Sequence, residues 1–376
     1  MKLGIYIQVP FCQTKCTYCN FHTGVFAKSL YQPYVDAVCQ EICESPSLRE
    51  LSVDTVYLGG GTPSLLAPID LARLLDAARQ NYRSAWQEVT LEADPETITA
   101  EKARAWRETG IDRISLGVQS FSDTELRAAG RMHRRRDIYS SVDFLRGAGF
   151  LNISMDLIAG LPHQTHSSWG ASLDELIALR PKHASIYLLE VDVGSRLGKE
   201  ILRGGKKYSA GAVPSDDRMA EFYESACARL ASEGYEHYEI SNWALSGFAS
   251  RHNLKYWRRQ PYLGFGAGAH SFDGHKRWAN VHDPASFAAA ISQGRSTREQ
   301  EEKVTPNQAL EEELFLGLRQ LAGIDLARIN REYDTDLSAR VGKLVADGLL
   351  ERVGDWIRLN PAKLTIANEV FVEVLD

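Results

Sequence analysis

The chain repeats one pattern six times, a short β-rich run followed by a stretch with helical periodicity. The predicted strands are Leu3–Val9, Val53–Leu58, Glu88–Ala93, Arg113–Val118, Asn152–Ile158 and Ala184–Val191. Helices are predicted between them near Tyr34–Glu44, Ile69–Gln80, Ala100–Thr109, Ile138–Ala148 and Ser167–Leu179. Successive strand–helix units call for right-handed crossovers and a parallel sheet, either open and doubly wound or curved into a barrel. Residues able to do chemistry stand at or just beyond many strand ends: Cys12, Gly59, Glu92, Gln119, Asp156 and Glu190. Convergence from many strand ends favours barrel curvature, because a flat sheet focuses its site at one crevice. The expected fold is therefore α/β, a partial (β/α)6 TIM-like barrel.

Beyond the sixth strand, the Gly-, Lys- and Ser-rich stretch Gly194–Asp217 is expected to be a mobile loop at the barrel mouth, a candidate lid. A long helix near Arg218–Glu233 follows. The barrel is expected to span 1–236, and a connecting region dense in aromatics and glycines 237–300. The last part, 301–376, is expected to be a winged-helix-like α+β module. Its helices are predicted near Asn307–Leu321, Leu326–Tyr333 and Leu337–Asp347, with a hairpin turning at Gly354-Asp355 and a short terminal helix. Nine Lys and Arg against fifteen Asp and Glu in this module argue against DNA binding. It is instead read as a packing or partner-docking domain.

Three cysteines, Cys12, Cys16 and Cys19, follow the first strand in a C-x3-C-x2-C run. Three thiolates on one polar loop are soft ligands able to hold three corners of a cubane iron–sulfur cluster, leaving its fourth iron open. A structural zinc site, which wants a fourth ligand such as His22, is the competing reading. Cys39, Cys43 and Cys227 read as packing residues. The chain has 376 residues and a formal net charge of −6, with no apolar run long enough to span a bilayer. The apolar stretch at its N-terminus is too short for a signal peptide. The expectations are a cytoplasmic protein that neither binds nucleic acid nor crosses a membrane. Gly59-Gly60-Gly61-Thr62-Pro63-Ser64 closes the second strand but lacks the Lys of a phosphate-binding loop.

These motifs together resemble the radical S-adenosylmethionine superfamily. Tyr6-x3-Pro10-Phe11-Cys12, Tyr18 before the third cysteine, Glu92-Ala93-Asp94-Pro95, Ser115–Phe121 and Asp156–Pro162 narrow the resemblance. They are similar to the branch that contains oxygen-independent coproporphyrinogen III dehydrogenases and HemW-type haem chaperones. The resemblance implies a 4Fe–4S cluster on Cys12, Cys16 and Cys19. It also implies S-adenosylmethionine held by Tyr6, Tyr18, Gly60, Gly61, Thr62, Glu92, Gln119, Arg131 and Asp156.

Two departures separate the chain from the dehydrogenases. These continue C-x3-C-x2-C-x-C, where this chain has Phe21, and they carry a long N-terminal arm that is not expected here. His252-Asn253-Leu254-Lys255-Tyr256-Trp257 resembles instead the H-N-x-x-Y-W motif of HemW chaperones. The implied function is binding haem and handing it to haem-requiring proteins, with respiratory, membrane-associated acceptors and a homodimer among the expectations. His252 is the implied haem ligand, with Tyr256 and Trp257 stacking on the porphyrin and His270 a second candidate. The alternative implied function is coproporphyrinogen III dehydrogenation by oxidative decarboxylation.

Overall fold

The computed structural model describes residues 2–375. The six expected strands form as β1 (Lys2–Val9), β2 (Ser52–Gly60), β3 (Arg83–Ala93), β4 (Arg113–Gln119), β5 (Asn152–Ala159) and β6 (His183–Leu188). They pair in parallel in sequence order. The five expected crossover helices also form, as Tyr31–Glu44, Pro68–Asn81, Ala100–Glu108, Arg135–Gly147 and His166–Leu179. Two of their starts carry side-chain caps: Thr99 accepts from the Lys102 N–H, and Thr165 from that of Ser168.

Parallel strands covered on both faces usually read as continuous apolar runs. These alternate. Leu3, Ile5, Ile7 and Val9 of β1 are fully buried, as are Val56 and Leu58 of β2 and Ile114, Leu116 and Val118 of β4. This face packs under the helices, each such side chain contributing about 1.5–3 kcal/mol. The opposite set, which includes Tyr6, Gln8, Tyr57, Glu92, Arg113, Ser115 and Asp156, lines a polar interior. The period of two sorts each strand between core and lumen.

The stretch 237–300, expected as a connecting region, is built of strands and helices. It supplies most of both flanks of the same sheet: β7 (Glu236–Glu239) and β8 (Asn242–Ala244) beside β6, and β9 (Tyr262–Phe265), β10 (His270–Phe272), β11 (Lys276–Asn280) and β12 (Arg298–Lys303) beside β1. The twelve strands run β12-β11-β10-β9-β1-β2-β3-β4-β5-β6-β8-β7, so the barrel is partial and its two edges do not meet. β9 is parallel to β1, while β10 to β12 and β7 to β8 are antiparallel.

The expected boundary at 301 falls inside β12. Beyond it, helices Pro306–Gly317, Leu326–Glu332, Ser338–Ala346 and Ala367–Leu375 pack with a three-stranded antiparallel sheet that includes the predicted hairpin. Glu312 pairs with Arg259 at 2.7 Å and Arg277 at 2.9 Å, and the Arg319 guanidinium lies 4.5 Å from the Trp257 ring centre. The module thus rests on the 237–300 segment.

The 194–217 stretch is folded. It holds a helix, Arg196–Leu202, and a 3-10 segment, Lys207–Ala212. The Leu197 N–H donates to the Thr17 carbonyl at 2.8 Å, tying this stretch to the cysteine loop.

Candidate functional site

The cysteine loop leaves β1 and folds back on itself. The Cys12 N–H donates to the Gly24 carbonyl at 2.8 Å, and the Gly24 N–H to Pro10 at 3.0 Å. The Thr17 N–H reaches the Ala129 carbonyl at 2.9 Å, anchoring the middle of the loop beyond β4. All three loop cysteines line one cavity of about 540 Å³ at the C-terminal ends of the parallel strands, within the size range of small-molecule sites. Burial pushes the Cys12 and Cys16 thiols up. Around Cys16 this is opposed by Arg131, whose Nη1 lies 3.5 Å from the sulfur. Among the described residues, no group of three or more His, Cys, Asp or Glu is placed to hold one metal ion. A mononuclear zinc site would gather its sulfurs within about 2.3 Å of one ion, whereas a cubane distributes them over several irons.

Tyr18, Gly60, Gly61, Thr62, Glu92, Gln119, Arg131 and Asp156 line the same cavity. Tyr6 is not among the lining residues. Its hydroxyl donates to Gln8 Oε1 at 2.6 Å, and its ring stacks beside Tyr57.

The glycine triplet does something the sequence did not indicate. A Cβ on Gly61 would stand 2.6 Å from the Phe11 carbonyl oxygen and 2.9 Å from that of Val9. The Gly61 N–H donates to the Val9 carbonyl at 2.8 Å and the Thr62 N–H to that of Phe11 at 2.7 Å. The triplet therefore docks the end of β2 onto the backbone leading to Cys12. Gly60 has φ +110°, and its N–H donates to Glu92 Oε2 at 2.9 Å, while the Tyr57 hydroxyl donates to Oε1 at 2.8 Å. Burial lifts the Glu92 carboxyl to about 7; these two donors pull it down, and Asp156 and Asp94 add to the rise. Burial also raises Asp156, against Ser185, Arg113, Ser115 and Ser154.

Gln119 has a left-handed backbone, φ +65°, where the β4–β5 register shifts. Such a conformation is costly for a non-glycine residue, and the irregularity re-aims the strand end at the cavity. Arg131 is 9% exposed and already engaged: its Nη2 donates to Asp94 and, at 2.8 Å, to the Gly117 carbonyl. Asp94, which Thr62 also reaches at 3.2 Å, was not among the expected site residues. The signal for it was strand alternation, which puts 92 and 94 on one face.

The haem candidates separate. His252 sits over the N-terminal half of β1 and β2, away from the cysteines, and is 1% exposed. Both ring nitrogens are engaged, Nδ1 with Thr55 Oγ1 and Nε2 with the Tyr256 hydroxyl, each at 2.9 Å. Burial, Lys255 and Arg113 push it down to about 3. The helix Arg251–Trp257 is a plug. Glu88 accepts from the Arg251 and His252 N–H groups at 2.9 and 3.0 Å, and Lys255 pairs with Asp54 at 2.6 Å. Trp257 faces Arg319 of the C-terminal module. In this arrangement His252 offers no free nitrogen to iron, and Tyr256 and Trp257 are structural neighbours. His270 lies elsewhere, exposed at the start of β10. Cys39 is part-buried against the core and Cys227 likewise, but Cys43 is exposed, with Asn81 Nδ2 3.3 Å from its sulfur.

Among the described residues, no helix is long and apolar enough to cross a membrane. The radical SAM superfamily model matches residues 6–176, and the HemN C-terminal domain model matches 304–362. The chain is 33% identical over 373 residues to the heme chaperone HemW of Bacillus subtilis, covering 97% of each chain. It is 36% identical to that of Synechocystis, covering 93% of this chain and 85% of the relative. The fold matches the coproporphyrinogen III oxidase HemN of Escherichia coli with a TM-score of 0.85 at 21% identity, over 99% of this chain and 90% of that one. The chain belongs to the HemW family of the radical SAM superfamily.

Proposed function

We propose that this protein is a haem chaperone that binds haem and passes it to acceptor haem proteins. The supporting observation is similarity to proteins described as heme chaperones across 97% of both chains. Its cysteine-lined cavity is where the resident cofactors that the superfamily implies would sit. Cys12, Cys16 and Cys19 would ligate a 4Fe–4S cluster, and S-adenosylmethionine would lie against Tyr18, Gly60, Gly61, Thr62, Glu92, Gln119, Arg131 and Asp156. Tyr6 would act from below, through Gln8. When bound, such a cluster supplies an electron to the sulfonium of S-adenosylmethionine.

The residues themselves do the positioning. Gly61 seats the loop that carries the thiols, Arg131 sets positive charge beside Cys16, and the Glu92 and Asp156 carboxylates would face a cationic ligand. Phe21, two residues past Cys19, is 66% exposed at the cavity. It stands where the dehydrogenase pattern has its fourth cysteine. The barrel would comprise the sheet and its helices, and the C-terminal module would be a docking domain.

Under anaerobic conditions, cluster-loaded protein should bind haem stoichiometrically and transfer it to an apo-haem protein. With coproporphyrinogen III, S-adenosylmethionine and a reductant it should yield no protoporphyrinogen. Formation of protoporphyrinogen together with 5′-deoxyadenosine would establish the dehydrogenase instead, the reading favoured by the HemN-like fold alone.

A further inference from the structure

Three histidines from distant parts of the chain come near one another beside the cysteine cavity, whose lining includes Phe21 and Thr23 on either side of His22. His22 follows Phe21 on the cysteine loop, His270 opens β10, and His282 follows the end of β11. The His22 and His282 rings lie 4.2 Å apart between centroids, tilted by 32°. Nδ1 of His282 is buried with no hydrogen-bond partner. Beneath the pair is Gly268, with φ +71°, where a Cβ would come within 3.1 Å of that nitrogen and 3.9 Å of the His22 Cβ. A glycine there leaves the space the two rings occupy.

His22 and His270 are exposed, whereas His252 is not. Burial, His282 and Lys15 lower the pKa of His22; burial, His282, Arg277 and His22 lower that of His270. Both therefore stand as neutral imidazoles near pH 7, the form that ligates iron. The three rings do not converge on a single ion position, so they do not form a three-histidine metal site. A haem iron needs only one imidazole on a given face. The exposed ring of Phe21, next in the chain to His22, supplies an apolar surface for a flat macrocycle.

We propose that the imidazole offered to haem iron is His22, on the cysteine loop, with the His282 ring backing it and His270 nearby, and that His252 is a structural plug. This rests on the haem-binding reading above. It adds that the haem ligand and the thiols share one loop, only three positions separating Cys19 from His22.

The test is an anaerobic titration of ferric haem into cluster-loaded wild type, His22→Ala, His22→Met, His270→Ala and His252→Gln, followed by Soret absorption and electron paramagnetic resonance. Iron and sulfide content and far-ultraviolet circular dichroism serve as folding controls. The expected result is at least a tenfold loss of affinity in His22→Ala and a changed axial-ligand signature in His22→Met. His252→Gln should keep the wild-type signature, and His270→Ala should weaken binding without altering it. The inference is overturned if folded His22 variants give the wild-type spectrum, or if only His252→Gln or only His270→Ala loses the imidazole signature. A wild type that forms no haem complex overturns the chaperone reading itself, a result distinct from either of these.

Discussion

At the scale of single residues, contact distance decides more than residue type. Gly61 looks in sequence like part of a ligand-binding glycine triplet, but its missing side chain makes room for the Val9 and Phe11 carbonyls. Gly61→Ala should displace the loop carrying Cys12, so iron and sulfide bound after anaerobic reconstitution should fall at least several-fold. Gly147→Ala is the control, because nothing lies within 4 Å of its Cβ position at the end of a helix. It should leave iron content unchanged and raise stability by about 0.5–1 kcal/mol in chemical denaturation. Glu92 gives a pH signature. Its carboxyl, held near 7, must ionise to face a cationic ligand. S-adenosylmethionine affinity should therefore rise as pH increases through about 7, with proton uptake by the buffer, measurable by calorimetry in two buffers of different ionisation enthalpy. Glu92→Gln should flatten that dependence; an unchanged slope would assign the proton to another group.

At the scale of elements, the strand–helix alternation of 2–188 was legible in sequence because each unit is locally coded by periodicity and caps, although β3 begins five residues before its expected start and the short helix Asp123–Ala128 was not foreseen. The elements of 237–303 were not. β9 is four residues long and exists because it pairs with β1 across more than 250 positions, a partnership no local pattern encodes. The plug helix shows the same limit. The residues of His252–Trp257 were visible, but which end of the strands they would close depended on that long-range pairing. Its packing predicts a pH effect on stability. His252 is held neutral with a pKa near 3, while an unfolded histidine takes up a proton below about 6.5. Its contribution is complete above about 6.5 and declines as pH falls toward 3. Glu92 and Glu41, each lifted to about 7 first of all by burial, act oppositely and lose stability as pH rises from about 4.5 through 7. Subtracting the denaturation profile of His252→Gln from that of wild type isolates the histidine. The difference should shrink from pH 7 to pH 4, and a flat difference would show that the ring is not buried neutral.

At the scale of the whole molecule, the C-terminal module is joined to the sheet by backbone pairing at Tyr238–Ile240 with Arg319–Leu321 and by ion pairs. Glu312 binds both Arg259 and Arg277, with its side chain 19% exposed. Glu312→Ala should cost about 1–2 kcal/mol, discounted for solvent screening. A thermal melt should shift by a few degrees, while the spectrum of a reconstituted cluster stays as it was. The module's helices and hairpin were predicted from sequence with small errors, whereas the strand before them, β12, was not. β12 is composed wholly of exposed residues and has no apolar period to announce a strand.

That same strand, Arg298-Glu299-Gln300-Glu301-Glu302-Lys303, has consequences for self-association. If two copies met along it with twofold antiparallel symmetry about its midpoint, Arg298 would face Lys303 and Glu299 would face Glu302. Like charges directly opposed penalise such pairing, and charged borders of this kind discourage strand addition. That register is therefore disfavoured, and a dimer built on another surface would leave this outermost ribbon in water.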